Sequence, residues 1–348
     1  MEKKGEKVFL TNHKIVLASS VHNSVRKTLR SAGSVIENTN QEPWTRNELI
    51  NHLQDADALM AFMTERIDGD LLDQCPKLKI IAGALKGFNN IDIDACSERG
   101  IIVTIVPDLL TIPTAELTVG LMLALSRKII LADQYVRSGN FKGWRPILFG
   151  NSVVGSNVGI IGAGAVGRSI LKMLSGFDCC CFYVDPVALT PEEEFKLKVT
   201  RQTIEHVLRK ADFVILGMHL TADSFHVVDQ KFLAQMKPGA CLINPARGSL
   251  VDEAAVADAL LSGHLGGFAT DTYETEDWAI EGRPSFIHPG ILNSDKTVLT
   301  PHIGSAVGKT REAIELSAAN SIISALKGEK PKTSVNSDNL IRIEQKNK

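Results

Sequence analysis

Three polar side chains in the second half of the chain have the chemistry to oxidise or reduce an anion. Arg247 stands in the run NPARGS, Glu276 in DTYETED and His302 in TPHIGSA. A guanidinium grips an anion through paired hydrogen bonds, an imidazole exchanges protons near neutral pH, and a carboxylate orients that imidazole. Each residue taken singly also has a non-functional explanation. Arg247 could be a surface residue, Glu276 could belong to a solvated acidic run, and His302 could be a core histidine whose hydrogen bonds are satisfied. Together they form a candidate catalytic set.

Each of the three residues follows a stretch that predicts a β-strand. These stretches are residues 240–244, 267–271 and 297–299. Open parallel sheets bind ligands beyond the carboxyl ends of their strands. We therefore expect the three side chains on the ligand-binding side of one sheet.

A second candidate site is the segment 157–185, which predicts a strand, a turn, a helix and a second strand. Its glycines have G-x-G-x-x-G spacing. Gly162 would make the tight turn, Gly164 would let the backbone approach a pyrophosphate, and Gly167 would let the helix pack closely on the strand. An ordinary glycine-rich turn explains the glycines alone, whereas the flanking elements favour a dinucleotide site.

The start of this helix and the end of the second strand complete the predicted cofactor site. Ala165 and Val166 begin the helix, whose free N–H groups attract phosphates. Asp185 lies roughly 20 residues after the first glycine, where a carboxylate binds the adenosine ribose hydroxyls. Because it would repel a 2′-phosphate, the segment predicts NAD rather than NADP.

The composition predicts a soluble protein of about two domains. Of its 348 residues, 44% are apolar and 22% charged. The 38 basic and 40 acidic side chains leave a net charge of −2, which gives no electrostatic footprint for nucleic acid or an anionic membrane. The charged start resembles no signal peptide, so a cytoplasmic protein with small-molecule or protein partners is expected.

The six cysteines predict buried core residues and no metal site. Cys75, Cys96 and Cys241 are scattered, while residues 179–181 are consecutive cysteines within a predicted strand. Neighbouring side chains on a strand face opposite sides of the sheet, so the three cysteines cannot converge easily on one ion.

Alternating strands and helices predict an α/β fold with two doubly wound, Rossmann-like parallel-sheet domains. A break at 106–108 precedes a long predicted helical stretch over 113–137, and a helical pattern returns over 305–327. The expected domains are therefore a discontinuous substrate domain, 1–108 plus 305–348, and an NAD-binding domain, 109–304. Substrate would bind in the cleft between them. The charged tail after residue 328 predicts a surface arm or disorder.

The glycine segment, NPARGSLVDE, DTYETE and TPHIGSA together resemble the D-isomer-specific 2-hydroxyacid dehydrogenase family over residues 14–327. The resemblance implies that Arg247, Glu276 and His302 are catalytic and that Asp271 contacts the nicotinamide carboxamide. It also implies a homodimer joined through the helical region after residue 113. Further cofactor contacts that it implies are Thr114, Pro245 and Ala246.

Several segments resemble the branch of this family that oxidises phosphite. They are MAFM (60–63), ALKGFNNIDIDAC (84–96), VPDLLTIPTAEL (106–117), VRSGNFKGW (136–144), EDWAIEGRP (276–284) and TPHIGSAV (300–307). Lys86 carries most weight, because other members usually have an apolar residue there. The implied substrate contacts, besides Arg247, are Lys86, the Gly87 N–H, Met63, Trp144 and Ser305. Two departures are Phe149, where that branch has tyrosine, and Asn89, where many relatives have aspartate.

Phosphite carries up to two negative charges and no carbon skeleton, so its site needs converging cations more than an apolar pocket. The first expectation is therefore oxidation of phosphite to phosphate with NAD⁺. The alternative keeps the same machinery in a reductase of glyoxylate, hydroxypyruvate or another 2-keto acid. A third possibility, from another class, is an NAD-sensing interaction protein like the corepressors of this fold. A complete catalytic set favours an enzyme.

Overall fold

The computed structural model of the protein describes residues 13–337. Residues 13–110 form β1 (His13–Leu17), α1 (Asn23–Arg30), β2 (Gly33–Glu37), α2 (Arg46–Leu53), β3 (Ala58–Ala61), α3 (Gly69–Leu72), β4 (Ile80–Gly83), α4 (Ile93–Glu98) and β5 (Ile102–Thr104). Residues 111–306 form α5 (Thr111–Ser126), α6 (Ile129–Arg137), β6 (Asn157–Ile161), α7 (Ala165–Leu174), β7 (Cys180–Val184), α8 (Pro191–Leu197), β8 (Val199–Arg201), α9 (Ile204–Lys210), β9 (Phe213–Leu216), α10 (Gln230–Gln235), β10 (Cys241–Asn244), α11 (Glu253–Leu261), β11 (Gly267–Thr270), α12 (Pro289–Leu292) and β12 (Thr297–Leu299). The last helix is α13 (Gly308–Leu326).

The first structural unit comprises residues 13–110 and 307–337. Its five strands pair in parallel in the order β2-β1-β3-β4-β5, with apolar side chains on both faces. Helix α13 buries Ile314, Ala318 and Ile322 in the same core cluster as Ile15 and Met60. Burial of such side chains contributes roughly 25 cal/mol per Å². The late helix is therefore part of this unit's core.

The second structural unit comprises residues 111–306. Its seven strands are also parallel, in the order β12-β11-β10-β9-β6-β7-β8. The strand order reverses between β6 and β9, and open sheets bind ligands at such a switch point. Two parallel-sheet α/β units confirm the predicted fold class.

The predicted helical stretch over 113–137 is helical, but it is divided into two helices, α5 and α6. Lys128 separates α5 from α6 with φ 53°, in the left-handed region, and its N–H donates to the Leu125 carbonyl. The break contains neither glycine nor proline, and the apolar helical periodicity of the sequence continues across it. The sequence pattern therefore gives no sign of the break. Two elements that the sequence pattern did not predict, β2 and α2, extend the first unit.

The prediction of a surface arm or disorder after residue 328 is wrong for residues 333–336, which dock beside β5. The Val335 N–H donates to the Val103 carbonyl, and Ser334 forms a bridge to Thr104. The Asn336 side chain, 1% exposed, accepts from the Val103 N–H and donates to the Ile101 carbonyl. These bonds satisfy backbone groups that would otherwise need water. The predicted charged leader and the last part of the tail lie outside the described residues.

The cysteines follow the prediction only in part. Cys75, Cys96, Cys181 and Cys241 are buried, but Cys180 is exposed and Cys179 half-buried. Within residues 13–337, no three His, Cys, Asp or Glu side chains group in a way that could hold a metal ion. No helix in that range is both long and apolar enough to cross a membrane.

Candidate active site

The three candidate catalytic residues follow three neighbouring strands of the second unit. Arg247 comes after β10, Glu276 lies in a turn after β11, and His302 comes after β12. Since the sheet is parallel and its order is β12-β11-β10, the three strands end at one edge.

Glu276 holds His302 directly. Its Oε2 lies 2.9 Å from His302 Nδ1, and its Oε1 accepts the Tyr273 N–H at 3.0 Å. An ionised carboxylate only accepts, so Nδ1 carries the proton in this pair. His302 Nε2 is thereby left as the ring nitrogen for proton transfer. His302 has φ 53°, a conformation that costs a non-glycine residue about 1–2 kcal/mol.

Asp271 fixes the loop that carries His302. Its Oδ1 accepts the Thr300 hydroxyl at 2.6 Å and the Ile303 N–H at 2.8 Å, while its Oδ2 accepts the Gly304 N–H at 2.8 Å. Burial raises the pKa of Asp271, and these hydrogen bonds and the His302 charge oppose that rise. These contacts explain how the strained His302 backbone is maintained.

A buried amide shapes the loop that carries Arg247. Asn244, with no exposed surface, donates to the Arg247 carbonyl at 2.8 Å and accepts the Ala246 N–H at 3.1 Å. It thus closes the Pro245–Arg247 turn. Burial lowers the pKa of the Arg247 guanidinium, and the charges of Asp277 and Glu276 oppose that effect. Arginine remains protonated under such conditions.

The acidic run 274–277 is structural, so its interpretation as a solvated run is wrong. Asp277 is 2% exposed, and its Oδ2 accepts the Ser249 N–H at 2.8 Å. Glu274 accepts the Glu253 N–H at 3.0 Å and lies 2.9 Å from His226 Nε2. Asp277 therefore ties the turn after Arg247 to the turn that carries Glu276. Sequence reasoning missed Asn244 and Asp277, since neither residue type signals burial.

The glycine turn after β6 has the shape that a pyrophosphate site requires. Gly162 has φ 103°, and a Cβ there would lie 2.5 Å from the Gly217 carbonyl after β9. A Cβ on Gly167 would lie 2.2 Å from the Gly162 oxygen, whereas one on Gly164 would meet nothing within 4 Å. The turn is therefore tight where the protein packs and open at Gly164, where backbone N–H groups can receive phosphate.

Asp185 lies at the end of β7 beside this turn. Its Oδ2 accepts the Ala163 N–H at 2.7 Å and its Oδ1 the Val187 N–H at 2.8 Å. Thr114, in the first turn of α5, has its hydroxyl 3.2 Å from the place of a Cβ on Gly304. The proposed cofactor contacts Ala165 and Val166 begin α7.

Replacement of Asp185 by Asn should raise kcat/KM with NADP by about tenfold, equivalent to 1.4 kcal/mol, because it removes a charge that repels a 2′-phosphate. The amide keeps an acceptor for the Ala163 N–H. Asp185→Ala should also improve the use of NADP. Initial rates with both cofactors check this, with Asp258→Asn, on the exposed side of α11, as a matched control. Unchanged NADP kinetics in both Asp185 variants would contradict the prediction.

Two loops of the first unit carry other predicted substrate contacts. Met63 follows β3 and Lys86–Gly87 follow β4. Asn90, 3% exposed, joins these loops by donating to the Phe62 carbonyl at 3.0 Å and the Glu65 carbonyl at 2.8 Å. Sequence reasoning missed this buried amide and the buried Glu65, whose pKa is raised by burial.

The remaining predicted contacts differ in their surroundings. Burial lowers the pKa of the half-buried Lys86 ammonium, and the Asp108 charge opposes this. Ser305 lies just beyond the Asp271-bound loop and is half-buried. Trp144 is 81% and Phe149 75% exposed, on the segment between α6 and β6. A single copy of the second unit therefore does not enclose Trp144.

Comparison with known proteins matches residues 119–304 to the family model "D-isomer specific 2-hydroxyacid dehydrogenase, NAD binding domain". A glyoxylate reductase of Thermococcus gammatolerans is 36% identical over 298 residues, covering 84% of this chain and 86% of that protein. A glyoxylate reductase of Thermococcus onnurineus is 34% identical over 328 residues, covering 93% and 96%. A crystal structure of a Thermus thermophilus protein superposes with a TM-score of 0.84, at 30% identity, covering 92% of this chain and 99% of that one.

The chain therefore belongs to the D-isomer-specific 2-hydroxyacid dehydrogenase family. It is an NAD-dependent dehydrogenase, and residues 119–304 match the family's NAD-binding domain. Both Thermococcus relatives are named glyoxylate reductase, and neither name refers to phosphite. Closeness to the phosphite-oxidising branch thus stays a prediction from residue patterns.

Proposed function

We propose that the enzyme transfers hydride between NAD and a small anion bound at Arg247, with His302 as the acid–base group. The observation that supports this most is the 2.9 Å contact between His302 Nδ1 and Glu276 Oε2 beside the Arg247 turn. The glycine turn after β6 would hold the NAD pyrophosphate and Asp185 its ribose, while Asp271 would also contact the nicotinamide carboxamide. Bound NAD⁺ supplies the hydride acceptor.

As the substrate we propose phosphite, a choice carried by the half-buried Lys86. In this reaction His302 takes the proton from a water molecule as its oxygen bonds to phosphorus, and the hydrogen of the P–H bond leaves as hydride. Arg247 and Lys86 would balance the charge of the phosphite oxygens, and the Gly87 N–H and Ser305 hydroxyl would donate to them. Glu276 stabilises the imidazolium that forms. Met63 and Trp144 would border the substrate.

A second candidate is the reduction of glyoxylate, or of a related 2-keto acid, with NADH. It is favoured by the names of relatives 34–38% identical to this chain. Here His302 donates its proton to the carbonyl oxygen while Arg247 binds the carboxylate. Arg247 and His302 serve both reactions. Lys86 distinguishes them, because a 2-keto acid with a single carboxylate needs one cation fewer than phosphite does.

Steady-state assays decide between the two substrates. Phosphite-dependent formation of NADH, with glyoxylate- and hydroxypyruvate-dependent oxidation of NADH several-fold less efficient, would support phosphite. Activity with the 2-keto acids alone would overturn the phosphite proposal and establish the second candidate.

Replacement of Lys86 by Met should lower kcat/KM for phosphite by roughly thirty-fold or more, because losing a half-buried cation costs about 2 kcal/mol or more. Methionine keeps much of the length of the side chain. The matched control is Lys77→Met, at an exposed lysine of the same unit. Phosphite kinetics unchanged by Lys86→Met would remove Lys86 from the site.

We also propose a homodimer formed through α6 and the segment after it. Helix α6 buries none of its residues within the chain, and Ile129, Ile130 and Val136 are 49%, 44% and 55% exposed. Apolar surfaces of this kind commonly mark protein contacts. Light scattering should give twice the chain mass of 37.8 kDa. Val136→Glu should shift the particle toward one chain mass, and a monomeric wild-type protein would contradict the proposal.

A further inference from the structure

Two thiols lie together at the start of β7, and the proposed reaction uses neither of them. The sulfur atoms of Cys179 and Cys181 are 3.7 Å apart. Cys179 Sγ also lies 3.8 Å from the carbonyl oxygen of Leu174, the last residue of α7. The two sulfur atoms are therefore in direct contact at the edge of the core.

The two thiols differ in how they meet solvent. Cys181 is 8% exposed and belongs to the core cluster that contains Leu171 and Leu174. Cys179 is half-buried and packs against the rim of that cluster. A small solute therefore reaches Cys179 first, while Cys181 is the protected partner.

The contact also makes their acidities unequal. The hydrogen bond with Cys181 lowers the pKa of Cys179 to about 7, although burial acts in the opposite direction. The same hydrogen bond, together with burial, raises the pKa of Cys181. Cys179 is also the more exposed of the two thiols, so we take Cys179, whose thiolate is the reactive form, as the attacking sulfur of the pair.

The two sulfurs need only a short movement to reach bonding distance. A disulfide bond is about 2.05 Å long, so the sulfurs must move closer by less than about 2 Å. Cys179 lies outside the strand ladder, which begins with the pairing of Cys180 and Asn157, and follows Asp178, whose φ is 49°. Cys179 can therefore adjust without breaking the β6–β7 pairing.

We propose that Cys179 and Cys181 are a hydroperoxide-reactive pair that closes to an intrachain disulfide. The Cys179 thiolate first attacks an oxygen of hydrogen peroxide, so that an S–O bond forms, the O–O bond breaks and hydroxide leaves. The Cys181 sulfur then attacks the Cys179 sulfenic acid. The S–S bond forms as the S–O bond breaks, and the oxygen leaves as water with the Cys181 proton. Two electrons pass from the two thiols to the peroxide.

Mass spectrometry of the native full-length protein tests this pair. After brief exposure to hydrogen peroxide and alkylation of the remaining thiols, we expect a loss of two hydrogen atoms that dithiothreitol reverses. Peptide mapping should locate the link between residues 179 and 181. Cys180→Ser, the matched control between them, should show the same loss. Cys179→Ser and Cys181→Ser should abolish it, and Cys181→Ser should leave a sulfenic acid on Cys179 that dimedone traps.

Several results would overturn the proposal. They are an unchanged mass of the wild-type protein, oxidation confined to Cys180, a disulfide joining two chains on a non-reducing gel, and an intrachain link that persists in Cys179→Ser. Because mapping of the wild-type protein alone separates the first three outcomes, the proposal can still be overturned if a variant fails to fold. The measurement is independent of turnover, so it succeeds or fails separately from the proposed substrate.

Discussion

Replacement of His302 by Asn will lower kcat by about 10²- to 10⁴-fold, the usual contribution of a positioned acid–base group. Asparagine retains a polar side chain of similar reach but cannot exchange a proton near neutral pH. Because the proposed cofactor turn belongs to the β6–α7 segment, the dissociation constant of NADH should stay within about twofold. Stopped-flow turnover and fluorescence titration with NADH measure the two quantities separately.

A substitution of Glu276, the hydrogen-bond partner of His302, should have a smaller effect on kcat than the loss of His302 itself. Glu276→Gln keeps an acceptor near Nδ1 but removes the charge that stabilises the imidazolium, so its kcat should fall less than that of His302→Asn. His206→Asn, on α9, is the matched control for loss of a half-buried histidine. Near-normal turnover in His302→Asn would show that another group moves the proton.

Replacement of Arg247 by Gln should lower kcat/KM for the anionic substrate by about 10²- to 10³-fold, the cost of removing one preorganised donor at a site of developing charge. Arg247→Lys should lie between Gln and the wild type, because an ammonium keeps the charge but loses the paired hydrogen bonds. Initial-rate kinetics with saturating cofactor give both values.

Two further measurements make the Arg247 result specific. Arg209→Gln removes an exposed arginine of the same unit and should leave kcat/KM within about twofold. Thermal unfolding of Arg247→Gln shows whether the turn closed by Asn244 and Asp277 remains folded. A folded Arg247→Gln enzyme with wild-type KM and kcat would exclude Arg247 from substrate binding.

The fold class could be predicted from sequence because parallel strands are short apolar runs, and helices separate them with a different period. The positions of Arg247, Glu276 and His302 beyond their strands could be predicted for the same reason. The adjacency of β10, β11 and β12 could not, because it is a property of the sheet order, which no local pattern records.

The residues that hold the site could not be predicted. Asn90, Asn244 and Asp277 are buried by segments distant in sequence or by turns of irregular shape, and their types are usually exposed. The burial of Asn336 could not be predicted either, because its neighbours in the sequence are mostly polar or charged. The break at Lys128 lacked glycine and proline, so the helix period continued through a residue in the left-handed conformation.

The place of α13 in the core of the first unit has a consequence for biosynthesis. The ribosome releases β1 to β5 early, but part of the apolar surface that covers them arrives with Ile314, Ala318 and Ile322, about 200 residues later. The second unit is contiguous in sequence, so it can complete its core before the first unit has received α13. A chain released before residue 308 would thus carry one finished domain and one sheet with part of its apolar face uncovered, a state in which a chaperone has a defined surface to protect.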